Sequence, residues 1–329
     1  MDKNSINSHD KFFKELFSKK EEVVEFVAKT FPPQITANLD FNSLELDKTE
    51  YIDSKLRTNY SDIVYNCTYA QNTKIKITLL FEHKSYPEQF PHLQLLGYML
   101  KIWEIQIKQK QQLTPIIPII FYHGQKRWVF KSFDQYFKGV DENLQKYIPK
   151  FDYQLIDTSN FKDDDIIELF ESLQLQIGIL LMKNIYNEQK ILQEINKFFA
   201  DVNKLLQTEN GEQFFETIVA YLLYSTRIDT VKYVENMRTI SHRAEEKFIS
   251  TAMRLKMEGR MEGRMEGRME GKMEGKMEGL EKGIKKVAYN LIHKGLDNDF
   301  IKQTTGLSDE QINYLRKMES FELDLENSI

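Results

Sequence analysis

Two patterns of apolar spacing divide the chain. Up to about residue 160, helical stripes alternate with short runs rich in β-branched and aromatic residues; beyond it, helical spacing dominates. In residues 9–31, Phe13, Leu16, Phe17, Val23, Val24 and Val27 recur at helical intervals. Ser8 is placed to act as the N-cap, Asp10 falls in the first turn, and Pro32-Pro33 stops the helix. A short strand is expected at residues 44–46. Residues 60–69 read as a second strand, the polar stretch 70–74 as a hairpin turn, and residues 74–82 as a third strand. The inner half of that third run is continuously apolar, as in a strand covered on both faces. Pro91 opens a helix to about Lys110, with Leu93, Leu96, Met99, Leu100 and Trp103 on one side. Residues 115–122 read as a buried strand in which Pro118 marks an edge or bulge, and residues 153–156 add another. The order helix, three strands, helix, strand predicts a mixed α/β layer fold.

From Asp163 onward, residues 166–182, 188–206 and 214–223 carry helical spacing, and a long charged helix continues to about Leu255. From Met257 the tetrapeptide Met-Glu-Gly-Arg/Lys recurs up to Leu280, with an echo at residues 281–284. A period of four overshoots the helical turn by about 40° per step, so a Met stripe winds around the rod. Each Gly costs about 1 kcal/mol against Ala, and every i,i+4 pair brings like charges together, such as Glu258 with Glu262. An isolated array is therefore expected to be a poor helix. It reads either as a linker or as a helix formed in an assembly, where Glu and Arg/Lys stripes of partner chains meet. In the tail, residues 287–293 form one short helix. Ser308 caps the next, with Gln311 in capping-box position.

With 329 residues and 41% apolar content, the chain can bury a sizeable core, and disorder is excluded. Its single cysteine, Cys67, allows neither a disulfide framework nor a cysteine-based zinc site, and points to a reducing, cytoplasmic setting. No signal-peptide core and no membrane span are expected. The net charge of −5 argues against coating nucleic acid by charge alone. It leaves room for an enzyme that engages phosphate through a metal and a few local cations.

The candidate chemistry lies on the paired central runs. Asp62 and Glu82 supply hard oxygen ligands suited to Mg²⁺, and the backbone carbonyl of His83 is a third. Lys84 shares the face of Glu82 and is placed to position a water and counter charge. Gln94 and Tyr98, one helical turn apart, are candidates to fix the metal shell or a nucleic-acid backbone. Asp10, Glu15 and Asp53 are weaker candidates for an extra acid. Glu-x-Lys by itself carries little weight, since Glu245/Lys247, Glu270/Lys272 and Glu274/Lys276 match it too.

Five blocks occur in one order: residues 9–14 (HDKFFK), 61–64 (SDIV), 79–85 (LLFEHKS), 96–99 (LGYM) and 121–124 (FYHG), the last followed by Trp128. In these the chain resembles the recombination-promoting nuclease family, also called putative transposases, of the PD-(D/E)xK nuclease superfamily. The resemblance covers residues 9–160 well and the following helices more loosely. It implies a restriction-endonuclease-like core, followed by an all-helical C-terminal region, and DNA cleavage dependent on Mg²⁺, with Mn²⁺ as a substitute. Asp62 and Glu82 match the metal-binding acids, and Lys84 the third motif position. Ser61 stands where the superfamily's nominal Pro would be.

The expected organisation is a nuclease core at 1–160, a helical region at 161–256, a repeat linker or assembly helix at 257–284, and a helix-turn-helix-like tail at 285–329. DNA is the expected partner, with self-association through the repeat. The competing reading is a catalytically silent nuclease-fold protein that acts through the repeat and tail. A DDE-type transposase would need a different acidic triad, which the sequence does not display.

Overall fold

The computed structural model describes residues 3–47, 63–69 and 75–318. It divides the chain into two compact units, Met1–Arg254 and Leu255–Ile329. The first is built on a five-stranded mixed sheet: β1 (Leu39–Leu46), β2 (Ile63–Tyr69), β3 (Ile75–Lys84), β4 (Ile116–Tyr122) and β5 (Gln154–Asp157), in that spatial order. β1, β2 and β3 form an antiparallel meander, whereas β4 and β5 run parallel to β3. The turn expected at residues 70–74 lies outside the described residues.

Helices α1 (Lys3–Phe17), α2 (Lys20–Thr30) and α3 (Pro33–Thr36) precede the sheet. The single helix expected over residues 9–31 is thus two. Lys19 adopts an extended conformation (φ −90°, ψ 122°), and no apolar side chain at Ser18 or Lys19 signals the break. Ser8 is no N-cap, because the helix begins at Lys3; its hydroxyl instead meets that of Ser225 at 2.7 Å. Phe13, Phe17 and Phe26 pack onto Phe81 and Phe121 of the sheet. Burial of each ring contributes roughly 1.5–3 kcal/mol.

The opposite sheet face is covered by α4 (Pro91–Lys108), which crosses between β3 and β4. Its buried stripe is Leu95, Tyr98, Met99, Ile102 and Gln106, while Leu93 and Leu100 face solvent. Of the expected stripe, Met99 is buried and Leu96 and Trp103 are half-buried, whereas Leu93 and Leu100 lie outside it. Gln106 is buried because both ends of its amide are used: Nε2 donates to the Thr114 hydroxyl at 2.8 Å, and Oε1 accepts from the Thr114 N–H at 3.1 Å. Pro118 lies within an interior strand, yet β5 joins β4 only from Ile119 onward, so the proline has a strand neighbour on the β3 side alone. Along β4, Ile119 and Phe121 join one core and Ile120 and Tyr122 the other, which is the alternation of a doubly covered strand.

The remaining elements are helical. After α5 (Glu142–Gln145) come α6 (Asp163–Leu169), α7 (Leu173–Asn184), α8 (Glu188–Phe198), α9 (Val202–Leu205), α10 (Glu209–Ser225), α11 (Thr230–Ile240) and α12 (His242–His293). The apolar faces of α7, α8 and α10 share one continuous core with α1, α2 and the sheet. The Met-Glu-Gly array lies inside α12 and is helical throughout. Helix propagation is far easier than nucleation, so a packed first segment lets the poor formers follow. Among the described residues, no helix is long and apolar enough to cross a membrane.

In the second unit, the end of α12 packs with α13 (Asn298–Thr305) and α14 (Asp309–Arg316) around Ala288, Ile301 and Ile312. Gly306, at φ +73°, turns the chain between α13 and α14. The capping box expected at Ser308 and Gln311 is present in both directions.

Three histidines meet beneath β3 and β4. His9 of α1 shares hydrogen bonds with the hydroxyls of Tyr221 (2.8 Å) and Tyr186 (3.4 Å). His83 of β3 bonds Asp10 at 2.9 Å and stacks on His123, with ring centroids 4.8 Å apart. His123 Nδ1 donates to the Met182 carbonyl at 3.0 Å. Burial lowers the His9 pKa to about 4, assisted by the neighbouring His83 and opposed by Asp10. Burial likewise holds His123 well below the usual histidine value, with His83 and His9 adding to the effect.

The sign of the linkage follows. Between about pH 6.5 and pH 4, unfolded His9 binds a proton that the folded state refuses, so stability falls as pH falls through that window. The full effect of His9 is about 3 kcal/mol. Urea midpoints measured at pH 7 and pH 5 should differ, and His9→Gln should flatten the dependence; an unchanged midpoint contradicts this. A second prediction concerns Gly124, where an added Cβ would lie 2.3 Å from the Ser85 carbonyl oxygen. Gly124→Ala should lower thermal stability by about 1–3 kcal/mol through forced backbone displacement.

Candidate active site

The period of two along β3 sends Phe81 and His83 to one core and Glu82 and Lys84 to the face covered by α4. Glu82 is 1% exposed, and Lys84 is buried beside it. Glu82 Oε1 accepts from the Lys84 ammonium and from Gln94 Nε2, each at 2.9 Å. Gln94 Nε2 also lies 3.3 Å from the Tyr98 hydroxyl, on the next turn of α4. Pro91 at the first turn sets the start of α4, which places Gln94 over the strand end.

The other carboxylate oxygen, Glu82 Oε2, is buried with no hydrogen-bond partner among the described residues. Burying an unsatisfied carboxylate oxygen costs several kcal/mol unless something completes it. One oxygen held by two donors and one left open fits a carboxylate that accepts a hard cation. Among the described residues, no group of three His, Cys, Asp or Glu side chains is arranged to hold a metal, so Glu82 alone of these offers an open acid oxygen at this place.

The carbonyl of Lys84 accepts from the N–H of His123, the residue after β4, at 3.1 Å. Strand alternation therefore turns the His83 carbonyl toward the β2 side. Described β2 begins at Ile63, opposite Phe81, so the described ladder stops short of His83 there. The His83 carbonyl thus faces the β2 side, while its ring serves the opposite core.

The structure brings together Glu82, Lys84, Gln94 and Tyr98. Asp62 and Asp53 lie outside the described residues. Asp10 is held by the His83 ring on the other face of β3, so it is no extra acid on the Glu82 face. Glu15 is turned outward and pairs with Lys19 at 3.8 Å. Sequence reasoning missed the tie that Asp10 and the histidine trio place on the back of β3. The only signal was a histidine in an otherwise apolar alternation, and nothing in the spacing linked residues 9, 83 and 123.

Comparison with known proteins agrees with the block pattern. The sequence profile described as "Putative transposase, YhgA-like" matches residues 7–213, more than half of the chain. Recombination-promoting nuclease RpnD of Escherichia coli O157:H7 is 24% identical over 232 residues, covering 64% of this chain and 85% of that protein. Recombination-promoting nuclease RpnA of Escherichia coli strain K12 is 23% identical over 275 residues, covering 78% and 86% respectively. The inactive recombination-promoting nuclease-like protein RpnE of the same strain is 22% identical over 308 residues, covering 92% and 96%. No solved structure gives a significant match. On the extent of the profile match, the chain belongs to the family described as Putative transposase, YhgA-like.

Proposed function

We propose that the protein is a metal-dependent DNA endonuclease of the PD-(D/E)xK type that cuts phosphodiester bonds and promotes recombination. The observation that carries the reading is the buried Glu82 carboxylate, with Oε1 fixed by Lys84 and Gln94 and Oε2 open. The names of the relatives RpnD and RpnA support the nuclease class. The name of RpnE favours a second reading, a silent nuclease-fold interaction protein, so activity must be tested directly.

In this proposal Asp62 supplies the second acid. It directly precedes Ile63, whose register partner is the residue before Glu82. Asp62, Glu82 and the His83 carbonyl would hold Mg²⁺ or Mn²⁺, which neutralises charge on the non-bridging phosphate oxygens when bound. Lys84 then orients the attacking water and counters charge that develops on the phosphoryl group. Gln94 keeps the Glu82 carboxylate from rotating, and Tyr98 keeps Gln94 in place.

With Mg²⁺, wild-type protein should nick supercoiled plasmid, and Glu82→Ala and Lys84→Ala should each lose at least about a hundredfold in rate. Gln94→Ala should lose less, roughly tenfold, because it removes positioning and leaves the acid. Equal nicking by wild type and Glu82→Ala assigns the cutting to another site or a contaminant, and no nicking by wild type favours the silent reading.

A further inference from the structure

A crevice beside Lys84 is left unused by this chemistry. It opens at the C-terminal ends of the parallel strands β3 and β4, where ligands of open α/β sheets collect. Tyr122, the register partner of Lys84, contributes to it, together with Ser85, Tyr86, Gln125, Lys126 and Tyr186. Its volume is about 440 Å³, within the usual range of small-molecule pockets. The walls are fixed: the Tyr122 hydroxyl donates to the Lys126 carbonyl, and the Tyr186 hydroxyl is hydrogen-bonded to Ser85.

Two features of the rim point to a ligand. The Tyr86 ring is 56% exposed, and Lys126 and Arg127 face solvent beside it. Beyond them, residues 126–150 carry six Lys/Arg against three Asp/Glu, in a chain of net charge −5. Exposed Phe130, Phe137 and Tyr147 are interleaved with those cations. This arm leans on the start of α4: Phe133 stacks on His92 with centroids 5.2 Å apart, and Tyr136 meets Phe90 at 5.2 Å. Gln94, which grips Glu82, is two residues from His92 on the same helix.

We infer that the crevice holds an unpaired nucleotide of a DNA strand, stacked on Tyr86 with its phosphate on Lys126, and that the basic aromatic arm carries the strand onward. The inference rests on the nuclease reading for its ligand class. Alternating cations and exposed rings are the chemistry of single-strand binding, because every base has a π-face and every phosphate a charge. A base inside a duplex stack cannot enter a crevice of this size; it must first leave the stack.

The test is fluorescence anisotropy of the full chain with a short labelled single-stranded oligonucleotide and with its duplex, in EDTA so that no cutting occurs. Single-strand binding should be about tenfold tighter than duplex binding. Tyr86→Ala should weaken it about tenfold, and Tyr86→Trp should restore it. Lys126→Ala should lower the salt slope by about one. Wild-type affinity for single strand in both alanine variants overturns the inference, as does equal binding of duplex. The plasmid assay reads the other claim separately. Absent nicking with the binding pattern intact removes the nuclease reading and supports the crevice, whereas nicking with unaltered binding by Tyr86→Ala removes the crevice alone.

Discussion

The constraint on which the site depends is that β3 is covered on both faces. A strand in that position has no solvent side to which it can relegate a charge, so every polar residue at its end must find a partner within a core. Phe81 is satisfied by packing against α1 and α2. The His83 ring is held on the same side through its Nδ1 bond to Asp10. Glu82 Oε1 pairs with Lys84 on the α4 side, with Gln94 as third member, while Oε2 is left open among the described residues. The two ends of the strand residue pattern thus hold one another in place: the histidine tie behind the sheet fixes the backbone that aims the carboxylate and ammonium in front.

That arrangement explains which parts of the site were legible. Glu82 and Lys84 are two residues apart on one strand, and Gln94 and Tyr98 four apart on the next helix, so local periodicity placed each pair. Only the crossing of α4 over β3 was needed to join them. The histidine trio needed contacts among α1, β3 and the residue after β4, and no local pattern encodes those. The buried face of α4 was legible in part: Met99 is buried and Leu96 and Trp103 are half-buried, but Leu93 and Leu100 are left outside, and Gln106 is buried by its bonds to Thr114, which hydrophobicity alone does not announce.

Elsewhere the chain follows its sequence closely where turn chemistry is strong and less closely where it is weak. Ser308 with Gln311 and Pro91 both mark helix starts that the structure keeps. The split at Lys19 and the helical course of the Met-Glu-Gly array went against local expectation. In the first, long-range packing of Phe17 and Phe26 on the sheet imposes a bend that the apolar stripe did not announce. In the second, propagation from the well-packed start of α12 outweighs glycine propensity. Added Cβ atoms at Gly259, Gly263 and Gly267 would meet nothing within 4 Å, so these glycines are not required by close contacts within the chain.

The central claim is that the open oxygen of Glu82 is a ligand position for a divalent cation. Isothermal titration of the full chain with Mn²⁺ tests it most directly, since it reads binding whether or not DNA is cut. The account predicts saturable uptake of Mn²⁺ by the wild-type chain and its loss in Glu82→Gln, which keeps the shape of the side chain but removes its charge. Uptake that survives the substitution, or no uptake by the wild-type chain, contradicts it.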